Sequence, residues 1–186
     1  SGSTLRFLLP LSLLLSTGAS FSGTGRLMER PQTVFEELFK SKGCLLSKVD
    51  NALISSGELK SGVYELRGDV SSQFITGLLF SLPLLEEDSE IKLTTPLQSA
   101  PYIDITVDVL SRFGVDIKST ENGWYIKGSQ NYFPQNLSCE GDWSNSAFLH
   151  AFNLAGGSVQ VEGLNPESYQ GDKVYREFYE KLNVGI

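Results

Sequence analysis

Histidine occurs once in this chain, methionine once, and cysteine and tryptophan twice each among 186 residues. A single imidazole, His150, cannot build a histidine-rich metal centre, and it leaves a mechanism that needs a histidine base only one candidate. That residue lies beside Phe148, Ala151 and Phe152, where a satisfied core or surface imidazole is expected. Cys44 and Cys139 stand far apart with no partner motif. Two buried thiols in a reducing compartment are expected, not a disulfide or a metal site. Cationic residues are scarce too: 15 Lys and Arg face 22 Asp and Glu, for a net charge of −7. That excludes a general nucleic-acid binder, whose affinity rests on neutralising many phosphates. A small anionic ligand needs only a few well-placed arginines and stays open.

Long apolar runs are also missing. The stretch Phe7-Leu8-Leu9-Pro10-Leu11-Ser12-Leu13-Leu14-Leu15 is too short to span a bilayer. With Arg6 ahead and Ser16-Thr17-Gly18-Ala19-Ser20 behind, it has the outline of a secretory signal. The absence of a leading Met and the slot it fills in a repeat predict a buried core helix instead. Asn136-Leu137-Ser138 fits a glycosylation sequon, a triplet common by chance. Hydrophobic content of 40% and charged content of 20% suit an ordinary globular protein with ample core.

What is present is one pattern written three times, at a spacing of about 70 residues that suits compact subdomains better than a solenoid. The copies open at Gly2-Ser3-Thr4-Leu5-Arg6-Phe7, at Gly68-Asp69-Val70-Ser71-Ser72-Gln73-Phe74 and at Gly141-Asp142-Trp143-Ser144-Asn145-Ser146. They close near Gly43-Cys44, Gly114-Val115 and Asn183-Val184. Each reads as β-α-β-α-β-β, copy one lacking its first strand and copy three its last two. The fold class is therefore α/β (α+β), and the chain is expected to be an internal piece of a longer protein. A change of style near Pro134 to Asp142 predicts a boundary, giving units 1–139 and 140–186.

Helical spacing places Val34, Phe35, Leu38 and Phe39 on one face, with Pro31 in the first turn and Gly43 as the stop. Phe74, Leu78 and Leu79 form a second set, and Tyr102, Ile103, Val107, Leu110 and Phe113 a third. In copy three, Phe148, Ala151, Phe152 and Ala155 should face a core until Gly156-Gly157, as should Val174, Phe178 and Leu182. Alternation predicts strands at Glu90–Thr95, with Ile91 and Leu93 on one side, and at Val159–Val161. Val115-Asp116-Ile117 and Trp124-Tyr125-Ile126 read as a hairpin turning at Asn122-Gly123.

Hydroxyls and arginines cluster at the predicted helix starts. Ser71-Ser72-Gln73 and Ser99-Ala100-Pro101-Tyr102 each open a helix, where serines commonly cap. The same hydroxyls and exposed N–H groups can hold a phosphate, with the Gln amide reaching a neutral oxygen. Arg26-Leu27-Met28-Glu29-Arg30-Pro31 sets two guanidinium forks ahead of another helix; such forks suit carboxylate and phosphate.

At these residues the chain resembles the 5-enolpyruvylshikimate-3-phosphate synthases (3-phosphoshikimate 1-carboxyvinyltransferases). The segments that carry the resemblance are Ser1 to Arg6, Gly25 to Pro31, Gly68 to Phe74, Ser99 to Thr106, Glu140-Gly141-Asp142 and Gln170-Gly171-Asp172. The Ser-Ser-Gln-Phe and Pro-Tyr-Ile-Asp-Ile-Thr blocks are the specific ones. The resemblance implies an inside-out α/β assembly of repeated β-α-β-α-β-β subdomains in two domains that close on substrate. Residues 1–139 would be the last two subdomains of the N-terminal domain. Residues 140–186 would be the crossover and part of the next subdomain of the C-terminal domain.

By motif match, Ser71, Ser72, Gln73, Ser99 and Tyr102 would hold shikimate 3-phosphate. Gly2, Arg30 and Gln73 would contact phosphoenolpyruvate, and Arg6 would line the cleft. The family's lysine-bearing Gly-Ser-Lys-Ser segment, its proton-transfer aspartate and its later arginines have no match in this chain, so no catalytic residue is expected here and the piece alone should be inactive. Trp143 and Asn145 depart from the small residues common in the family. The resemblance further implies no cofactor or metal, a cytoplasmic monomer, no nucleic-acid or membrane partner, and two small-molecule substrates. A non-catalytic anion-binding module of the same fold, a related UDP-N-acetylglucosamine enolpyruvyl transferase and a signal-led secreted protein are the alternatives.

Overall fold

The computed structural model describes residues 1–15 and 18–182. The expectations that fall on Ser16, Thr17, Asn183 and Val184 lie outside the described residues. The chain divides into two compact units, 1–134 and 135–186, and mixes helix with sheet throughout the first.

Unit one begins with helix α1 (Gly2–Ser12), the leucine-rich stretch, which buries Leu5, Leu9 and Pro10 and continues to a fully buried Leu13. Strand β1 (Ala19–Ser22), helix α2 (Thr33–Ser41) and strands β2 (Leu45–Val49) and β3 (Ala52–Ser56) follow. The three strands form an antiparallel sheet of order β1-β3-β2. Helix α2 buries Phe35, Leu38 and Phe39 and stops at Gly43, whose φ of +78° is cheap only for glycine. Pro31 lies just ahead of this helix, not in its first turn, because Gln32 takes the capping position.

Copy two repeats the order in full: β4 (Gly62–Leu66), α3 (Ser72–Ser81), β5 (Ser89–Leu93), α4 (Ala100–Arg112), β6 (Ile117–Thr120) and β7 (Gly123–Ile126). Its sheet runs β4-β5-β7-β6, with β4 and β5 parallel and the other neighbours antiparallel. Helix α3 is apolar nearly all round, burying every residue from Phe74 to Leu79, because α1 packs on one side and α4 on another.

The hairpin differs by one residue from the sequence reading. Thr120 pairs with Gly123, so the two-residue loop is Glu121-Asn122 and the first strand starts only at Ile117. Gly123 is needed inside the strand: a Cβ there would overlap the Ile91 carbonyl of β5.

Unit two holds α5 (Trp143–Leu154) and α6 (Tyr175–Lys181), the latter entered through a 3-10 turn at Gly171–Val174. The apolar faces expected here point outward. Phe148, Phe152, Val174, Phe178 and Leu182 are exposed, while Trp143, Ser146, His150 and Tyr175 form the buried contact. The periodicity was a true sign of an apolar stripe, but within this unit a polar stripe is the one that is hydrogen-bonded and covered. Ser146 Oγ and His150 Nδ1 both meet the Tyr175 hydroxyl, at 2.8 and 2.7 Å.

The strand expected at Val159–Val161 is absent, and residues 157–162 form no regular element. Period-two alternation arranges side chains but supplies no backbone partner. Asn153 stands in for one, its amide accepting from the Val159 N–H at 2.7 Å and donating to the Val159 carbonyl at 3.0 Å. The expectation of two buried thiols holds for Cys44 only. Cys139 is exposed because it lies in the extended stretch 130–142, outside any element. No helix among the described residues is long and apolar enough to cross a membrane.

Candidate ligand site in the first unit

Parallel neighbours leave a sheet in the same direction, so the loops after β4 and β5 emerge side by side, each leading into a helix. Those loops are tied together. Thr95 Oγ1 accepts from the N–H groups of Gly68 and Asp69 at 2.9 and 3.2 Å and donates to Asp69 Oδ1 at 3.1 Å. The Gly68 carbonyl accepts from Gln98 at 2.8 Å. A Cβ at Gly68 would sit 2.5 Å from the Thr95 carbonyl oxygen, so only glycine permits this approach. Arg67 forks onto Asp69 at 2.8 and 2.5 Å, and this hydrogen bonding holds the Asp69 carboxyl down at about 2.

The helix starts carried by these loops differ. Ser71 caps α3 through a long 3.4 Å bond from the Gln73 N–H. Ser99 stands at the head of α4 in the left-handed region, φ +59° and ψ +39°, and its hydroxyl makes no cap bond. A non-glycine residue there is strained. Ser71, Ser72, Gln73, Ser99 and Tyr102 all line one cavity of about 660 Å³. Ser3, Phe7 and Phe80 line it too, and Thr76 and Thr106 close its floor with a 3.1 Å hydroxyl pair across α3 and α4. Thr106 Oγ1 also donates to the Tyr102 carbonyl at 2.9 Å.

Arg6 adjoins this cavity through Gln73. Arg6 Nη1 donates to Gln73 Oε1 at 3.0 Å, and its guanidinium carbon lies 4.4 Å from the centre of the Phe74 ring. Arg30 packs on Gly2 so closely that a Cβ there would overlap its guanidinium. Burial, then the positive charge of Arg30, lowers the Arg6 pKa. The ion pairs among the described residues are Arg26–Glu29, Arg67–Asp69, Lys92–Glu90 and Arg112–Asp108, and none of these involves Arg6 or Arg30. Two guanidinium groups within each other's field favour an anion between or beside them.

Five expected residues therefore share one cavity. Gly2 and Arg30 touch one another, and Arg30 lines a separate recess of about 150 Å³ with Pro31 and Gln32. Arg6 and Gln73 are the link between the two groups. Arg26, the other arginine of its motif, is exposed and pairs with Glu29 at 3.4 Å. Sequence reasoning missed Ser3, Phe7, Thr76 and Phe80. Ser3 and Phe7 are four apart on α1, as are Thr76 and Phe80 on α3, a spacing that marks one helical face.

A family model for EPSP synthase (3-phosphoshikimate 1-carboxyvinyltransferase) matches residues 1–186. The chain belongs to the EPSP synthase family. The 3-phosphoshikimate 1-carboxyvinyltransferases of Clostridium kluyveri and Clostridium perfringens are each 44% identical to it across its whole length. The chain spans only 44% and 45% of those two relatives. Among solved structures, the EPSP synthase of Acinetobacter baumannii matches 82% of this chain with a TM-score of 0.66 at 21% identity, over 34% of its own length. The enolpyruvyl transferase NikO of Streptomyces tendae matches 80% with a TM-score of 0.59 at 16% identity, over 36% of its own length. At these identities the structures speak for the fold alone.

In unit two the family's Glu140-Gly141-Asp142 and Gln170 segments come together. Gln170 Nε2 donates to Glu140 Oε1 and to the Gly141 carbonyl, both at 2.9 Å, and Gln170 Oε1 accepts from the Trp143 N–H at 2.9 Å. Asp142 caps α5 through the N–H groups of Ser144 and Asn145. Within this unit these motif residues organise backbone. Among the described residues, no three His, Cys, Asp or Glu side chains are grouped to hold a metal ion.

Proposed function

We propose that the full-length protein containing this chain transfers the enolpyruvyl group of phosphoenolpyruvate to the 5-hydroxyl of shikimate 3-phosphate and releases phosphate. In that reaction the methylene carbon of phosphoenolpyruvate takes a proton and the 5-hydroxyl adds to C2 with loss of its own proton. The tetrahedral intermediate then expels phosphate while its new methyl group gives back a proton, restoring the enol. The observation that carries the reading is the shared cavity of Ser71, Ser72, Gln73, Ser99 and Tyr102, with the Arg6 guanidinium hydrogen-bonded to Gln73 of its lining.

In this reading the hydroxyls of Ser71, Ser72 and Ser99 and the N–H groups at two helix starts donate to the phosphate of shikimate 3-phosphate. Tyr102, half exposed at 54%, borders its ring. Gly2 and Arg30 face phosphoenolpyruvate, the fork of Arg30 meeting a carboxylate or phosphate edge. Gln73 reaches both ligands. These groups bind and orient; no proton-transfer role is proposed for a residue of this chain. Residues 1–139 and 140–186 are proposed to belong to the two domains that close on substrate, which excludes water from the reacting centre. The protein is proposed to work as a cytoplasmic monomer on these two small molecules, without nucleic acid.

Steady-state assays of the full-length protein test this reading. Phosphate release that requires both phosphoenolpyruvate and shikimate 3-phosphate is expected. Binding of shikimate 3-phosphate without any turnover would support a non-catalytic module of the same fold instead. Shikimate 3-phosphate should also shift the amide NMR signals of Ser71, Ser72, Gln73 and Ser99 more than shikimate does. Equal shifts from both would return the serines to a capping role.

A further inference from the structure

Arg6 is half-buried, and its guanidinium is shared among several groups. Its Nη1 donates to Gln73 Oε1 at 3.0 Å, its Nη2 reaches the Pro31 carbonyl at 3.4 Å, and its Nε is buried with no hydrogen-bond partner. Among the described residues no carboxylate pairs with it, and burial together with Arg30 disfavours its charge.

A guanidinium has five donors and no acceptor, so only the oxygen end of a Gln amide can face it. With Oε1 occupied by Arg6, the Gln73 Nε2 group, which has two hydrogens to donate, is the end left for the cavity shared with Ser72 and Ser99. An unrestrained amide can turn over and present oxygen instead, which repels an anionic ligand oxygen. We propose that Arg6 is a positioning residue that fixes the Gln73 amide as a donor toward the ligand and acts on binding through Gln73. This rests on the enolpyruvyl-transfer reading for its ligands, though not for the geometry it predicts. The same guanidinium, bonded to the Pro31 carbonyl next to Arg30, also couples the donor set of α3 to the loop that carries Arg30.

The test uses the full-length protein with Arg6→Met, which keeps a stem over Phe74 but has no donor, and Arg6→Lys, which keeps one. Arg6→Met is expected to lower kcat/KM for phosphoenolpyruvate by about tenfold or more, the scale of a lost charge-assisted hydrogen bond, with Lys recovering part of it. In a Gln73→Ala background, Arg6→Met should change kcat/KM by less than about twofold, since residues that act through one contact are not additive. Effects that multiply in the double variant would overturn the proposal, as would near-wild-type kinetics of Arg6→Met. A second measurement needs no substrate: the Gln73 side-chain amide NMR order parameter should fall in Arg6→Met and be retained in Arg6→Lys. An unchanged order parameter would sink the proposal even if turnover were never detected. Absence of turnover in the wild type would count against the catalytic reading alone.

Discussion

Gly77 of α3 lies against the backbone of Arg6 in α1, so close that an added Cβ would sit 2.5 Å from the Arg6 carbonyl oxygen and 3.2 Å from Pro10 Cγ. The contact has a local cause. Pro10 has no N–H to give the carbonyl four residues earlier, which is that of Arg6, so the oxygen is open to an approaching neighbour. Glycine lets α3 come within reach, and the two helices then place Arg6 and Gln73 in hydrogen-bond contact. Gly77→Ala should force the helices apart and cost about 1–3 kcal/mol, as overpacking typically does. Thermal unfolding checks the loss, and the Gln73 amide signal reports whether the Arg6 contact goes with it. An unchanged melting temperature would mean that the helices tolerate the shift.

Most of unit one was legible from spacing. The order α-β-α-β-β and then β-α-β-α-β-β follows from glycine stops, such as Gly43 and Gly114, and from apolar periodicity that matches real burial at Phe35, Leu38, Phe39, Leu78 and Leu79. Unit two was not legible in the same way. An apolar stripe at Phe148 and Phe152 states which face dislikes water, not which neighbour is present to cover it. Gly123 misled for a related reason: Asn-Gly is a turn pair, but here the glycine answers a close approach by the Ile91 carbonyl. The cavity residues Thr76 and Phe80 escaped notice because in sequence they read as ordinary helix interior.

Gly2 and Arg30 form the second testable contact. Gly2→Ala puts a methyl group where the Arg30 guanidinium stands, so the arginine must move. If Arg30 forks onto phosphoenolpyruvate, Arg30→Ala should cost about 2–5 kcal/mol, roughly 30-fold to several thousand-fold in kcat/KM for that substrate. Arg30→Lys keeps charge without the planar fork and should fall between. Gly2→Ala should weaken phosphoenolpyruvate in the same sense while leaving shikimate 3-phosphate binding nearly unchanged. Values within about twofold of wild type for all three would mark Arg30 as surface charge.

His150 gives unit two a pH dependence with a definite sign. Ser146 donates its hydroxyl hydrogen to the Trp143 carbonyl at 2.8 Å, so it can only accept from Tyr175, and Tyr175 in turn accepts from His150 Nδ1–H. Burial lowers the His150 pKa, so folding favours the neutral ring. The unfolded ring, with its pKa of about 6.5, takes up protons first. Stability is therefore complete above that value and declines as pH falls below it toward the lowered folded pKa. NMR titration should find the His150 midpoint below about 6.5, and the melting temperature should fall through the same range. His150→Gln should flatten that decline. A midpoint at or above the ordinary value would contradict the buried neutral ring.

Ser99 separates a ligand role from a capping role more cleanly than its neighbours do. Its φ of +59° is a position where glycine is at ease and serine is strained, yet its hydroxyl makes no cap bond that would repay the strain. Ser99→Gly should therefore stabilise the fold by roughly 1 kcal/mol through relief of that conformation. Ser99→Ala should leave stability nearly unchanged, since no cap is lost. Ser71→Ala behaves differently, because Ser71 does accept from the Gln73 N–H. Losing that cap should cost about 1 kcal/mol, or less given the long bond. Binding should run the other way. Both Ser99 variants should lose affinity for shikimate 3-phosphate by a similar factor of about 3 to 10, the value of one hydrogen bond to a charged group partly replaced by water. A strained serine that is more stable as glycine but binds less tightly is held there for its hydroxyl. Unfolding curves and calorimetric titration of the three variants decide the point, and Ser99→Gly binding as tightly as wild type would remove Ser99 from the site.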